Sequence, residues 1–144
     1  MKRFISVIIC LVIIRFVCAQ AGRAQDAKRL EGTWVALYVE VDGKEIKPKG
    51  EIRAVITGSK FEVVAGDKVI AGGTWKLYPN KKPKEVDATY TIGPDKGKSL
   101  KGIYELDGDN LKICVDEKGE ARPAEFKTKE GGNRVLVVLK RIKK

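Results

Sequence analysis

Apolar and polar residues alternate along most of the chain, in short runs that end at glycine-rich turns. Such alternation is typical of half-buried β-strands, and no stretch after residue 31 keeps the period of an amphipathic helix. A Gly-x-aromatic phrase opens three of the runs, at Gly32-Thr33-Trp34, Gly73-Thr74-Trp75 and Gly102-Ile103-Tyr104. The pattern predicts strands over residues 34–41, 44–46, 52–57, 60–65, 68–78, 85–92, 100–106, 111–115, 124–128 and 134–142.

Glycines supply the turns and bends of these strands. Asp42-Gly43 predicts a tight hairpin, and Gly72-Gly73 predicts a bulge or sharp bend inside a long strand. Many short strands without a disulfide favour closure, because a closed barrel leaves no sheet edge exposed. We therefore predict an all-β fold: one antiparallel, meandering β-barrel of about eight strands over residues 30–144, preceded by a polar lead-in at residues 22–29.

The first residues have the pattern of a secretory signal peptide. Lys2 and Arg3 precede an apolar stretch, and Ala19-Gln20-Ala21 has the small-x-small form of a cleavage site. A membrane anchor is the alternative, but Arg15 interrupts the apolar run, which is shorter than the ~20 residues of a spanning helix. A lipid anchor on Cys18 is disfavoured because the leucine and small residues of a lipobox do not precede it. We expect residues 1–21 to be removed and the mature protein to be exported, periplasmic or secreted, without a stable membrane span.

The exported protein would be basic. The chain has 29 Lys and Arg against 19 Asp and Glu, a net charge of +10, and loss of residues 1–21 removes three basic residues and leaves +7. Much of the charge lies in three clusters, at residues 44–49, 80–84 and 140–144. Solvated loop charge is one interpretation, and contact with an anionic envelope component or a membrane surface is the other. Nucleic acid is not an expected partner, because no recognition-helix or RNA-binding signature is present.

The chain contains no histidine, and Cys114 is the one cysteine that follows the signal segment. The missing imidazole excludes histidine-dependent nucleophilic catalysis, imidazole metal sites and proximal-histidine haem binding. Cys114 falls on the strand face opposite Leu111 and Ile113, where a small semi-buried residue is favoured over a reactive thiol. With no catalytic motif either, we expect neither an enzyme nor a metal or cofactor site.

Several motifs resemble one family of barrels. Leu30-Glu31-Gly32-Thr33-Trp34 resembles the Gly-x-Trp signature of lipocalins and related calycins. The resemblance implies that Trp34, after Gly32, packs inside the closed end beneath Arg141 of the last strand. Further segments resemble a small lipocalin-like domain of unknown function that recurs in exported planctomycete proteins, namely residues 41–45, 81–84, 93–98, 102–109, 111–114, 122–123 and 125–126. The resemblance covers residues 29–141 and implies fold and export, but no activity.

A barrel of about eight strands is either filled by side chains or holds one small ligand. If Trp34 points inward, the two-residue period also turns Tyr38 and Glu40 inward, progressively nearer the open end. We expect these two to line a cavity for a small apolar or amphiphilic molecule, together with residues of neighbouring strands, namely Trp75, Leu77 and Tyr90. In the alternative, aromatic side chains fill the interior, and the protein is an envelope structural or interaction domain whose basic loops contact an anionic surface or a protein partner.

Overall fold

A computed structural model describes residues 22–143, so the predicted signal peptide at residues 1–21 lies outside the described residues. A short helix, α1, covers residues 22–30, and nine strands follow it. In chain order the strands are β1 (Gly32–Val41), β2 (Lys44–Ile46), β3 (Ile52–Thr57), β4 (Lys60–Ala65), β5 (Lys68–Tyr78), β6 (Lys84–Ile92), β7 (Ser99–Asp107), β8 (Asn110–Asp116) and β9 (Arg134–Arg141).

The strands form one antiparallel sheet that closes on itself. From β3 to β9 each strand pairs with the next along the chain, and β1 pairs with β3 on one side and with β9 on the other. The β1–β9 pairing runs from Trp34↔Arg141 to Val41↔Val135 and completes a barrel of eight strands. Strand β2 is an extension that pairs with the far end of β1. The predicted antiparallel, meandering barrel of about eight strands is confirmed.

Strand β1 contains a bulge at Leu37. Its register with β9 shifts between Ala36 and Tyr38, so Leu37 lies opposite no residue of β9. One extra residue exchanges the two faces of the strand beyond it. Ala36 and Val39 therefore face the barrel interior, whereas Leu37 is 44% exposed.

The register between β5 and β6 shifts at the paired glycines of β5, where a bulge or bend was predicted. Gly72 pairs with Ile92 and Gly73 with Tyr90, so the extra residue is Thr91 of β6. A Cβ atom on Gly73 would lie 2.0 Å from the carbonyl oxygen of Thr89, so this close approach of two backbones requires glycine. A bulge increases the local twist of a sheet, which helps the sheet to close into a barrel.

Trp34 closes one end of the barrel, which we call the closed end. Its side chain is fully buried, and the guanidinium carbon of Arg141 lies 4.3 Å from the centre of its ring. Arg141 also donates hydrogen bonds to the carbonyl oxygens of Glu31, at 2.6 Å, and Arg29. Gly32 has a φ of 129° and leaves room for the guanidinium, since a Cβ there would lie 3.0 Å from Arg141 Nη1. This is the contact expected between Trp34 and Arg141.

Helix α1 covers the closed end and includes the predicted polar lead-in, for which no helix was predicted from the sequence. Most of its residues are good helix formers, and its last residue, Leu30, is 1% exposed and accepts a hydrogen bond from Trp34 Nε1 at 2.9 Å. Asp26 is 4% exposed and accepts hydrogen bonds from Lys84 Nζ at 2.8 Å and Tyr104 Oη at 2.6 Å. Apolar burial and a buried ion pair thus attach α1 to the barrel. No helix of the described residues is long and apolar enough to cross a membrane.

The prediction of a strand at residues 124–128 is wrong. Residues 117–133 form an irregular segment between β8 and β9, which we call the strap. Arg122 fastens it to the barrel by donating to the carbonyl oxygens of Val86 at 3.1 Å and Gly102 at 2.9 Å, and to the Asp87 carboxylate at 2.7 Å. Phe126 packs on an apolar cluster on the outer face, made of Ile103, Cys114, Leu136 and Val138. Because both faces of β9 are buried, its sequence is a nearly unbroken apolar run.

Candidate ligand cavity

The barrel contains a cavity of about 530 Å³ that extends from the interior to the end opposite α1, which we call the open end. This volume falls within the range of roughly 300–1,000 Å³ that small-molecule sites occupy. Its walls are inward-facing side chains of all eight barrel strands except β7, namely Ala36, Val39, Ala54, Ile56, Phe61, Val63, Trp75, Val86, Ala88, Tyr90, Leu111, Ile113, Val115, Val137 and Leu139. The lining is almost entirely apolar.

The cavity ends at a packed floor. Ile56, Val86, Leu111 and Leu139 line the cavity and also belong to the buried core that contains Trp34. Below this layer Trp34 and two residues of α1, Asp26 and Leu30, are buried. A ligand would therefore enter from the open end and stop above Trp34.

One wall of the cavity is aromatic. The ring centres of Phe61 and Trp75 are 5.8 Å apart, and Tyr90 meets Phe61 edge-on with ring centres 5.4 Å apart. These are the spacings of favourable aromatic pairs. Trp75 Nε1 donates to the carbonyl oxygen of Gly58 at 3.2 Å, so its polar atom is satisfied without a ligand. The wall therefore presents mainly ring surface to the cavity.

Tyr90 brings a polar group to the cavity. Burial raises the pKa of this phenol, and the negative charges of Asp95 and Glu117 raise it further. The hydroxyl group is therefore uncharged at neutral pH and can both donate and accept a hydrogen bond.

Two cations lie at the mouth of the cavity, Lys49 and Arg53. Arg53 is already engaged, because its Nη2 donates to the carbonyl oxygen of Gly66 at 2.7 Å and its Nε lies 3.1 Å from the Glu51 carboxylate. Lys49 is exposed on the segment that leads into β3. The side chains that offer polar groups to a ligand are thus Tyr90 inside, and Lys49 and the remaining donors of Arg53 at the entrance.

Small residues create the space. Ala54 lies opposite Trp34 and Val63 in its neighbouring strands, and Ala88 lies opposite Trp75. With Ala36 these alanines face the interior at positions where larger side chains would fill it. The aromatic residues consequently occupy one side of the barrel and leave the rest open.

The prediction that Tyr38 and Glu40 line the cavity is wrong. The bulge at Leu37 turns both residues to the outer face. Tyr38 packs against the outer apolar cluster under the strap, and the Glu40 carboxylate accepts hydrogen bonds from Thr128, at 3.1 Å from N and 2.8 Å from Oγ1. Glu40 therefore holds the strap against β1 through these hydrogen bonds and does not reach a ligand in the barrel.

Of the other predicted residues, the structure brings Trp75 and Tyr90 together in the cavity wall. Leu77 lies below the cavity, 3% exposed in the core around Trp34, so its predicted contact with a ligand is wrong as well. Ala36, Ala54, Ala88 and Phe61 were not predicted as ligand contacts, although the two-residue period of β1 turns Ala36 inward with Trp34. Their in-phase positions on β1, β3, β4 and β6 were the available signal, because alternate small residues beside aromatics leave interior volume.

No protein-family model, no curated protein and no solved structure matches the chain. The resemblance to lipocalin-like domains therefore stays a prediction.

Proposed function

We propose that this protein is a carrier that binds a small apolar or amphiphilic molecule inside its barrel. The observation that carries the proposal is the cavity of about 530 Å³, which is closed at the Trp34 floor and extends to the open end. The alternative, an envelope structural or interaction domain whose barrel is filled by aromatic side chains, would lack this apolar volume. Burial of apolar ligand surface on such walls is the main source of affinity in small-molecule sites.

The lining selects the chemical class of the ligand. A charged group deep in the cavity would lose its hydration without a counter-ion, which is costly. A neutral polar group is compatible with Tyr90, and an anionic group is compatible with Lys49 at the mouth. The ligand should therefore have an apolar body, with any charged group at the open end.

The carrier is further proposed to act outside the cytoplasm. The support is the signal-peptide pattern of residues 1–21. Mass determination of the protein isolated from its own cells tests this proposal. A mass that lacks the first 21 residues or so would support it, and an intact N-terminus on cytoplasmic protein would overturn it.

Binding is tested with the fluorescent probe 1-anilinonaphthalene-8-sulfonate, whose emission rises in apolar surroundings. The double variant Ala54→Phe/Ala88→Phe fills the cavity from two walls and should weaken probe binding by about tenfold or more. Thr57→Phe/Thr89→Phe places the same side chains on exposed positions of the same two strands and should bind like the parent. Equal binding by both double variants would show that the probe lies elsewhere and would overturn the carrier proposal.

The natural ligand can be identified directly. Protein isolated from its own cells, examined by native mass spectrometry, should carry an additional mass that disappears on denaturation. The Ala54→Phe/Ala88→Phe variant isolated in the same way should lack it. An apolar or amphiphilic molecule is the expected identity, because the walls are almost entirely apolar.

A further inference from the structure

Exposed apolar side chains are concentrated at the open end. Four of the six large apolar residues that are exposed within residues 22–143 lie there: Ile46 at 54%, Val69 at 40%, Ile70 at 41% and Ile92 at 44%. We call these four residues the open-end rim. Ile46 belongs to the β1–β2 hairpin, Val69 and Ile70 follow the turn between β4 and β5, and Ile92 ends β6. Apolar side chains gathered at one edge mark a contact surface more often than scattered ones do.

The rim is continuous with the cavity. Ile46 itself lines the mouth, together with Pro48 and Ile52. On the other side Ile70 and Ile92 are neighbours, because Ile92 pairs with Gly72 and Gly93 packs against the Ile70 backbone. On the Ile46 side the apolar lining therefore passes from the interior over the edge of the barrel, with Lys49 and Arg53 as the polar residues at the mouth.

Four exposed lysines lie close in sequence to residues of the open-end rim. Lys44, Lys47 and Lys49 surround Ile46 in the chain, and Lys68 precedes Val69; all four are exposed. No carboxylate of the described residues lies within 4.0 Å of their ammonium groups. The four are therefore free to meet an external anion.

The acidic groups nearby offset part of this charge. Glu51 is paired with Arg53, and Asp95 with Lys98. Glu45 lies opposite Glu40 in the hairpin, so it shares the face away from Ile46 and Lys44. Asp42 and Asp67, at the two turns, remain exposed against the four lysines. In the segments that carry Ile46 and Val69, four unpaired lysines thus outnumber the two exposed aspartates.

We propose that the open-end rim docks on the surface of an anionic lipid bilayer. Exposed apolar side chains beside unpaired lysines fit the boundary between acyl chains and anionic headgroups. A soluble polyanion would use the lysines but not the isoleucines. Docking brings the cavity mouth against the bilayer, so an apolar molecule could pass between membrane and barrel without crossing water. This last step rests on the proposed carrier function, whereas docking itself does not.

Docking is tested by sedimentation with vesicles. The protein isolated from its own cells should bind vesicles of equal parts phosphatidylcholine and phosphatidylglycerol, and should bind vesicles of phosphatidylcholine alone at least about tenfold more weakly. The variant Val69→Ser/Ile70→Ser/Ile92→Ser, whose three residues do not line the cavity, should lose about tenfold in affinity for the anionic vesicles. Its control, Leu37→Ser/Ile142→Ser, changes exposed apolar residues away from the rim and should bind like the parent.

The lysines have a matched control at the other end of the barrel. Lys44→Gln/Lys47→Gln/Lys49→Gln should weaken binding to anionic vesicles by about tenfold or more. The same three charge losses at exposed closed-end positions, Lys81→Gln/Lys82→Gln/Lys140→Gln, should have little effect. Binding should also fall as salt is added, because salt screens exposed charges.

Three results would overturn the proposal: no binding to anionic vesicles, equal loss in rim and control variants, or loss in the lysine variant with none in the rim variant. The last result would assign the lysines to a soluble polyanion. The cavity variant Ala54→Phe/Ala88→Phe separates docking from carriage, since it should lose the fluorescent probe and still bind vesicles. The rim variant should lose vesicle binding and still bind the fluorescent probe. A failure of docking and a failure of ligand binding are therefore distinguishable.

Discussion

Trp34 and Asp26 hold the closed end by different physical means. Trp34 is fully buried and covered by Arg141, so its contribution is apolar area together with a cation over the ring. Asp26 is a buried carboxylate whose burial would be unfavourable without Lys84 and Tyr104. Burial of Trp34 thus stabilises the fold directly. The buried Asp26 carboxylate becomes destabilising when one of its partners is lost.

Replacing Trp34 by Ala should lower the free energy of unfolding by about 3–5 kcal/mol, the usual cost of removing a large aromatic side chain from a core. The measurement is urea unfolding followed by circular dichroism. Trp75→Ala is the matched control, because Trp75 is half-buried beside the cavity and should cost less. An equal cost for the two variants would contradict the assignment of Trp34 as the residue that closes the barrel.

Asp26 should make stability depend on acid pH. Burial disfavours its charge, but hydrogen bonds from Lys84 and Tyr104 and the charges of Lys84 and Arg29 outweigh this and lower its pKa. A carboxyl group with a lowered folded-state pKa stabilises the fold above its unfolded-state pKa of about 3.9, and this stability is lost as pH falls through the folded-state value.

Asp26→Asn should therefore lower the free energy of unfolding by about 1–3 kcal/mol near neutral pH. The difference from the parent should begin to shrink below about pH 4, where the carboxyl of the unfolded parent becomes protonated, and should disappear once the pH falls below the lowered pKa of the folded state. Urea unfolding across this pH range measures both effects. Asp95→Asn, which breaks an exposed pair with Lys98, should change little. A difference that stays constant into acid would show that the Asp26 charge is not what stabilises the closed end.

At the scale of elements, the local sequence pattern was sufficient to predict where most of the strands begin and end. It was not sufficient to predict which side chains face the barrel interior. The bounds of β3, β4 and β5 follow from alternation and glycine turns, because these signals lie within each strand. The bulge at Leu37 has no such signal, since it arises from pairing with β9 about a hundred residues away. The bulge at this single residue turns Tyr38 and Glu40 away from the cavity. Trp75 and Tyr90 were predicted correctly, because no bulge of this kind changes the direction of their side chains.

Helix α1 and the irregular structure of the strap were not predicted, and the reason is related. Both are short or irregular segments whose stability comes from packing on a barrel that is already closed. The sequence shows their anchors, such as Asp26 and Arg122, but not the distant partners that bury them. Residues 124–128 have strand-like alternation, yet Phe126 covers an outer cluster and the strap pairs with no strand.

The strap should protect Cys114 from reagents. The thiol is fully buried, and burial raises its pKa, with only partial opposition from Arg134 and the backbone of Lys127. Cys114 should therefore react with a disulfide reagent at neutral pH far more slowly in the native protein than in urea. Phe126→Ala should increase the native rate by about tenfold or more through local opening of the strap.

Phe61→Ala is the control for that experiment, because it removes an aromatic ring inside the barrel and leaves the strap untouched. Its thiol should react like that of the parent. Rapid reaction of Cys114 in the parent protein would show instead that the strap is open in solution.

At the scale of the whole molecule, the two ends of the barrel differ in packing. The closed end contains α1, the fully buried Trp34 and the Leu111 layer. The open end contains the cavity mouth, the short strand β2 and the exposed segment that follows it. Regions with few buried apolar contacts open more readily than a packed core. Stability should therefore be graded along the barrel, with the ligand entrance at the weaker end.

Amide hydrogen exchange should reveal this gradient and its response to a ligand. In ligand-free protein, amides of residues 44–53 should exchange faster than those of β8 and β9 near Leu111 and Leu139, because exchange follows local opening. A molecule bound in the cavity stabilises closed states and should slow exchange at the mouth more than at the floor, which is already protected. Addition of 1-anilinonaphthalene-8-sulfonate to the parent should produce this selective slowing, and addition to Ala54→Phe/Ala88→Phe should not. Uniform slowing in both proteins would indicate binding outside the barrel, and would leave the open cavity without a role in ligand binding.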